Sequence, residues 1–421
     1  MSTNKKITIS IPEINKIEGH AGFMAELENG LIHESRLEVK EGARLIEGIL
    51  IGRKYTEAPW ITARICGICP TVHNLTAIKA IEKALDVKVS PQTISLRKLM
   101  LLGQFIQSHM THIYFLALSD FFNLKSDLTL IRINPNITRK AIQIRDFGNL
   151  ILNTIGGRNI HPTTTAIGGF RKLPSPKILN EILSSAKKNL KTANDLFDFV
   201  NNLTFPVFQR LTVFAALANP QEYALYSGQI KLPKNKIYSP QVFLKKAREV
   251  QELEGDLIKK VKIAGESYLV GALSRINLNY KKLNPMSRRA LARSDFNLPC
   301  YNIFYNLLAQ MIEIIHSLEE TIKIISKLKI KPEKISKYKI KAGRGLGVTE
   351  APRGLLFHYY EVDAKGLIKN CNIITPTAQF LANLENDLEK FLEKEGDIKK
   401  PEENIKMLIR AYDPCITCAV H

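Results

Sequence analysis

Four of the six cysteines fall into two C-x-x-C pairs, Cys66 with Cys69 and Cys415 with Cys418. One such pair is compatible with a redox dithiol or with half of a zinc site. Two pairs supply four thiolates, a donor set suited to a soft metal ion or cluster. Local zinc ribbons space their pairs about 15–20 residues apart. Here most of the chain lies between the pairs, so a metal joining them would tie its beginning to its last residues. By themselves the four cysteines fit a tetrahedral structural zinc as well as a redox metal. Cys300 and Cys371 stand alone and read as small buried apolar residues. His109 and His112, three apart on one helix face, read as a core pair, with a metal pair as the alternative.

Such a site needs elements that bring the two ends of the chain together. The N-terminal segment alternates apolar and polar residues over Lys6 to Pro12 and Ala21 to Lys40, broken by the hairpin signal Asn29-Gly30. Beyond Cys69 the apolar spacing becomes helical over Thr76 to Leu85, Ser95 to Leu118, Lys177 to Leu203, Pro240 to Ala264, Arg288 to Leu328 (with a break near Pro299) and Pro376 to Leu392. A second sheet is expected from Lys337 to Ile374, with a turn near Asp363 to Gly366. The fold class expected is therefore α+β, predominantly helical, with a long-helix core and small antiparallel sheets. We read one large domain, 1–421: an N-terminal β segment (1–45), a helical core (70–330), a second β segment (337–375), and a C-terminal helix and metal motif (376–421).

Composition narrows the class. At 421 residues, 45% apolar and 24% charged, the chain is an ordinary globular protein with ample core, neither disordered nor collagen-like. It contains no apolar run long enough to span a bilayer, and polar Met1 to Lys6 does not read as a signal peptide, so a cytoplasmic address without membrane insertion is expected. The net charge of +20 is mostly lysine. No nucleic-acid motif accompanies it. The lysines alternating with isoleucine from Lys327 to Lys341 read as a protected strand edge.

The residues around the cysteines carry a specific resemblance. Arg64-Ile65-Cys66-Gly67-Ile68-Cys69-Pro70-Thr71-Val72-His73 and Asp413-Pro414-Cys415-Ile416-Thr417-Cys418-Ala419-Val420-His421 resemble the two metal-binding motifs of the large, catalytic subunit of nickel–iron hydrogenases. Lys16-Ile17-Glu18-Gly19-His20 resembles an early segment of that family, and Glu47 with Gly52-Arg53 a second. Gly156 to Pro162 with Gly168-Gly169, Glu350-Ala351-Pro352-Arg353-Gly354, and Thr375-Pro376-Thr377 match three later ones. The resemblance thus covers the whole chain in order, and its compact length and T-P-T-A-Q segment are similar to the cytoplasmic, bidirectional branch. One departure is Ser108, where the uptake branch carries an aspartate.

The resemblance implies a reversible, heterolytic cleavage of dihydrogen. Cys66 and Cys415 would be terminal nickel ligands, and Cys69 and Cys418 would bridge nickel to an iron carrying carbon monoxide and cyanide. Arg353 would stand over the metals, oriented by Asp413, with Pro376 and Thr377 around the diatomic ligands; Thr375-Pro376 is also a good helix start. Glu18 would relay protons from Cys415, and His73 would orient a bridging thiolate. Glu47, the carbonyl of Ile373 and His421 would hold Mg2+ or another divalent ion. An iron–sulfur small subunit, further electron-transfer subunits, and a maturation protease and chaperone are implied as partners. Family precursors usually continue past the terminal histidine, so the sequence is expected to be either a mature form or the product of a gene with no extension. Two other readings stay open: a structural zinc protein, and a nickel-free homologous subunit of a quinone-reducing respiratory complex.

Overall fold

The computed structural model describes residues 6–28, 31–124, 127–252, 256–394 and 401–421. Three strands open the chain: β1 (Lys6–Ile11), β2 (Ala21–Glu28) and β3 (Leu31–Val39), an antiparallel meander in the order β1-β2-β3. Alternation along β2 buries Ala21, Phe23 and Ala25 and fixes its register, because a one-residue slip would turn them outward. β2 and β3 form the expected hairpin; its turn, Asn29-Gly30, lies outside the described residues.

Long helices build the centre. α1 (Pro70–Ala84) begins directly after Cys69, and α2 (Pro91–Met110) is capped by Ser90, whose hydroxyl accepts from Thr93 N at 3.0 Å. α2 passes into a π-helical stretch, Thr111–Ala117. α3 (Pro135–Gly156) packs along α2, and α4 (Pro176–Asn201) packs against α3. α5 (Asn306–Lys327) crosses both α2 and α4 and is buried on every side from Asn306 to Leu318, which makes it the central helix.

A second antiparallel meander, β4 (Gly343–Ala351), β5 (Gly354–Val362) and β6 (Ile368–Ile374), lies against α1. Gly343, Gly345 and Gly347 occupy one face of β4. A Cβ on them would collide with the carbonyl oxygens of Ala84, Ala80 and Thr76, so only glycine lets this strand lie on the α1 backbone. α6 (Pro376–Lys394), α7 (Pro401–Ala411) and the short α8 (Ile416–Ala419) complete the chain. The buried apolar cluster runs from Ile11 to Val420, joining both ends.

The α+β, mainly helical class matches expectation; several boundaries do not. The helix expected over Pro240 to Ala264 ends at Lys246 and gives way to paired strands Ala247–Val250 and Lys260–Ile263. There the two-residue alternation of Lys260, Val261 and Lys262 overrides the helical reading, burying Val261 while both lysines pair with Glu252. The lysine-rich stretch after α5 forms no strand before Gly343, because its amides are satisfied by scattered partners: Lys331 N donates to Gln92 Oε1 at 2.8 Å and Ser336 N to Gly168 O at 3.0 Å. α3 was not foreseen. The expected break near Pro299 is present between Pro285–Ala292 and α5, and the turn at Asp363 to Gly366 is closed by Asp363 Oδ1 accepting from Lys365 N and Leu367 N.

Candidate metal centre

The two cysteine pairs meet at the centre of the molecule. Cys69 caps α1, with Pro70 in the first helical position where a missing N–H costs nothing. Its loop is clamped by Gln104 of α2, whose amide donates to Ile68 O at 2.6 Å and accepts from Thr71 N at 3.2 Å. The other pair follows α7. The chain turns through Asp413, held in the left-handed region at φ 56°, a strained backbone of the kind functional sites retain. Cys415 N then donates to Thr377 Oγ1 at 3.0 Å, and Ile416 N to Glu18 O at 2.8 Å. Gly19 permits this approach: at φ 85° a side chain there would be strained and would press on Ile416 and Thr417.

All four sulfur atoms lie within 4.8 Å of one another and are buried as free thiols. Cys66 and Cys415 are 3.4 Å apart, Cys69 and Cys418 3.5 Å. Burial raises the thiol of Cys66, but hydrogen bonds from Cys415, Cys418 and Cys69 outweigh it and hold that thiol well below the ordinary range. Burial pushes Cys415 and Cys418 well above theirs. Four crowded thiols of which one ionises readily suit a metal that takes the remaining protons' places. A small hollow of about 10 Å³, room for about one water, adjoins the cluster between Cys69, Cys415 and Cys418 and is bounded by His73, Arg353, Pro376 and Thr377.

The structure brings the other predicted residues to this centre or beside it. Cys415 Sγ donates to Glu18 Oε2 at 2.8 Å, and burial, followed by the Cys66 charge, raises the Glu18 carboxyl above its usual range. Arg353 is buried; its Nη2 donates to Asp413 Oδ1 at 2.7 Å and its Nε to Asp413 O at 2.8 Å, a fork that fixes the guanidinium. Ser108 Oγ lies 3.5 Å from Arg353 Nη1. His73 Nε2 is 3.6 Å from Cys418 Sγ. Glu47, Ile373 and His421 form a separate group: Ile373 N donates to Glu47 Oε1 at 2.5 Å, while His421 Nε2 lies 2.9 Å from Ile373 O and 3.9 Å from Glu47 Oε1. Thr375 precedes α6 as expected of a cap, but its buried hydroxyl makes no hydrogen bond.

Three contributors escaped the sequence reading. His358, on β5 opposite Gly347, places Nε2 3.2 Å from His73 Nδ1, and its own Nδ1 is 3.0 Å from the Tyr360 hydroxyl. Burial holds His73 neutral, its pKa lowered to about 3, and lowers His358 as well. Arg44 donates to Ile65 O at 2.6 Å, and its backbone N to Val420 O, tying the two motifs. Arg275 forms a buried fork to Glu313 at 2.6 and 2.7 Å and reaches Glu350 at 2.8 Å, behind the arginine loop. None belongs to a short motif, although the alternating glycines of β4 did mark a close approach. His109 and His112 point to different partners, Glu313 and Gln310, so they form no metal pair.

A helical core flanked by small sheets, with a buried four-thiolate cluster fed from both chain ends, defines a thiolate-ligated metalloenzyme. A sequence profile described as nickel-dependent hydrogenase matches residues 44–144 and 259–421. The chain belongs to that family and is a catalytic hydrogenase subunit, with a cysteine cluster that fits a nickel–iron centre. Sulfhydrogenase 2 subunit alpha of Pyrococcus furiosus is 31% identical over 428 residues, covering 98% of both chains. NAD-reducing hydrogenase HoxS subunit beta of Cupriavidus necator is 26% identical, covering 98% of this chain and 94% of that one. The crystal structure of an NAD+-reducing NiFe-hydrogenase in the H2-reduced state superposes with a TM-score of 0.89 at 26% identity, covering all of both chains. The same fold recurs in a NiFeSe-hydrogenase of Dm. baculatum, with a TM-score of 0.81 at 21% identity. Among the described residues no helix is long and apolar enough to cross a membrane.

Proposed function

We propose that Cys66 and Cys415, together with Cys69 and Cys418, would hold a nickel–iron centre, its iron carrying carbon monoxide and cyanide, which would supply the reversible splitting of dihydrogen into protons and electrons. The observation that carries this assignment is the company the four sulfurs keep: Glu18 bonded to Cys415 on one side and a buried Arg353, fixed by Asp413, on the other. A single tetrahedral zinc would use all four sulfurs and have no use for a proton acceptor and a fixed arginine beside them. The bound centre supplies the redox-active, Lewis-acidic metal pair at which hydrogen is cleaved.

The chain's own residues supply the rest. Arg353, kept charged and oriented by Asp413, presents a fixed positive charge toward the reacting space. Pro376 and Thr377 wall that space where the diatomic ligands would lie. The 2.8 Å contact lets a proton on Cys415 Sγ pass to Glu18 Oε2, whose raised affinity suits proton transfer near neutral pH. With Cys418 as a thiolate, His73 Nε2–H donates to it, His358 Nε2–H donates to His73 Nδ1, and the Tyr360 hydroxyl donates to His358 Nδ1. Glu47, Ile373 O and His421 would hold a hydrated Mg2+ or similar ion, one carboxylate and one imidazole leaving room for several waters.

Electrons would leave through an iron–sulfur small subunit, because Cys300 and Cys371 are isolated and provide no cluster site. Relatives named as alpha, A and beta subunits support such an assembly, and the NAD-reducing relative supports a further module passing electrons to NAD(P), with a deazaflavin or ferredoxin as the alternative acceptors. A maturation protease and chaperone, and a cytoplasmic address, accompany this reading. Infrared spectroscopy of the matured, partner-bound protein, beside a metal assay, tests it. Bands of metal-bound carbon monoxide and cyanide with near-equal nickel and iron are expected; zinc without such bands would overturn it.

A further inference from the structure

His112 leaves the helical line of α2 within the π-helical stretch and enters the core between α5 and the end of α7. Its two ring nitrogens face two oxygens. Nδ1 is 2.6 Å from Gln310 Oε1, and Nε2 is 2.7 Å from the carbonyl oxygen of Arg410. That carbonyl carries no hydrogen and already accepts from Asp413 N at 2.8 Å, so Nε2 must bring the proton. The Gln310 amide is oriented from its other end: Nε2 donates to Asp413 Oδ2 at 3.2 Å, a carboxylate whose other oxygen is held by Arg353 at 2.7 Å. Its oxygen therefore faces His112, and Nδ1 must bring a proton too. Turning the amide over would aim an oxygen at a carboxylate paired with arginine.

We propose that His112 is a buried imidazolium and a positioning residue for hydrogen cleavage: a second cation that, through Gln310, holds Asp413 aimed at Arg353. Three further features favour the charge. The Arg410 carbonyl lies at the C-terminal end of α7, where the helix dipole favours cations. Asp413 Oδ2 is 3.9 Å from His112 Nδ1. Ser108, one turn earlier on α2, brings only a hydroxyl 3.5 Å from Arg353 Nη1, so Asp413 is the acidic group bound to Arg353 on this side and holds the guanidinium through its carboxylate and its carbonyl. The other charged groups nearby are engaged elsewhere: Arg410 with Asp120 at 2.6 Å, and Glu313 with Arg275 and His109. His109 provides the contrast, with one ring nitrogen on Glu313 and the other without a partner. It needs a single proton.

Neutron diffraction from the perdeuterated holoenzyme at about pH 8, above the ordinary histidine value near 6.5, reads the charge without reference to turnover. Density for deuterium on both ring nitrogens is expected; one bare nitrogen overturns the charge assignment. For the positioning role, His112→Gln should lower kcat about ten- to a hundredfold at unchanged nickel and iron content and unchanged KM for hydrogen. His112→Lys, whose ammonium can donate to both oxygens, should recover part of that loss. A His112→Gln enzyme with wild-type kcat, or a His112→Lys enzyme no better than His112→Gln, overturns the role. The catalytic part rests on the proposed place of Arg353 over the metals, and the two fail differently. Missing infrared bands sink that reading, whereas a neutral His112 in an enzyme with intact bands sinks only this one.

Discussion

The two flanks of the thiolate cluster solve the same problem with opposite electrostatics. On one side His73, His358 and Tyr360 form a chain of neutral groups, two imidazoles kept uncharged by burial and backed by β5. On the other, Arg353 and Asp413 form a buried ion pair carried on loops and braced by Gln310 and His112. A neutral chain donates hydrogen bonds without adding net charge, so it can sit against a thiolate at little desolvation cost. A buried ion pair costs more to assemble and survives only where its remaining hydrogen bonds are made. The difference shows that the fold places its charge on the Arg353 side of the cluster and neutral donors on the His73 side, and both border the small hollow.

Breaking the charged flank should have the largest consequence. Arg353→Lys replaces a two-point fork with a single ammonium; hydrogen oxidation is expected to fall by about 10²–10³-fold, on the scale of losing one preorganised donor, while metal content stays near wild type. An equal loss in a matching substitution of the neutral flank would erase the proposed asymmetry. His358→Phe supplies that match. It leaves His73 Nδ1 and the Tyr360 hydroxyl without their partner, and is expected to lower stability by about 1–3 kcal/mol in denaturant titration, with a smaller drop in turnover than Arg353→Lys.

The smallest expected effect concerns a buried histidine distant from both flanks. His316 accepts from Asn284 N at 3.2 Å, and burial lowers its pKa to about 4. Below about pH 6.5 the unfolded chain takes up a proton that the native state refuses until about pH 4. Stability should therefore fall as pH drops through this window, by up to about 1.4 kcal/mol per pH unit from this residue. His316→Gln, which can still accept from Asn284, should flatten the slope. An unchanged slope would mean that His316 is charged in the native state, and would weaken the account of how burial keeps His73 and His358 neutral.

How the site could be read in advance divides along similar lines. Both C-x-x-C pairs, Glu18, Glu47, Arg353 and Asp413 lie in short segments whose types and spacing were visible. Their placement follows from local devices, such as Pro70 starting α1 and Gly19 allowing close approach. His358, Gln310 and Arg44 lie in unremarkable contexts, a strand histidine, a helical glutamine and a loop arginine, and gain a role only from what packs opposite. The misread Pro240–Ala264 stretch and the unforeseen α3 have different causes. In the first, strand pairing overrides local helical periodicity, whereas α3 carries a plain helical spacing at Ala141, Ile144, Phe147, Ile151 and Ile155 that was legible in the chain.

The sequence by itself determined the four thiols, the strand-then-helix order and the family, because donor types, turn residues and apolar period are local properties of the chain. Only the tertiary structure decided that the cysteines form one cluster with an adjoining hollow, that one flank is neutral and the other charged, and that His112 faces two acceptors while His109 faces one. Those facts depend on which groups from distant segments are left facing one another once water is excluded. Protonation and orientation are settled there by the partners each buried atom finds.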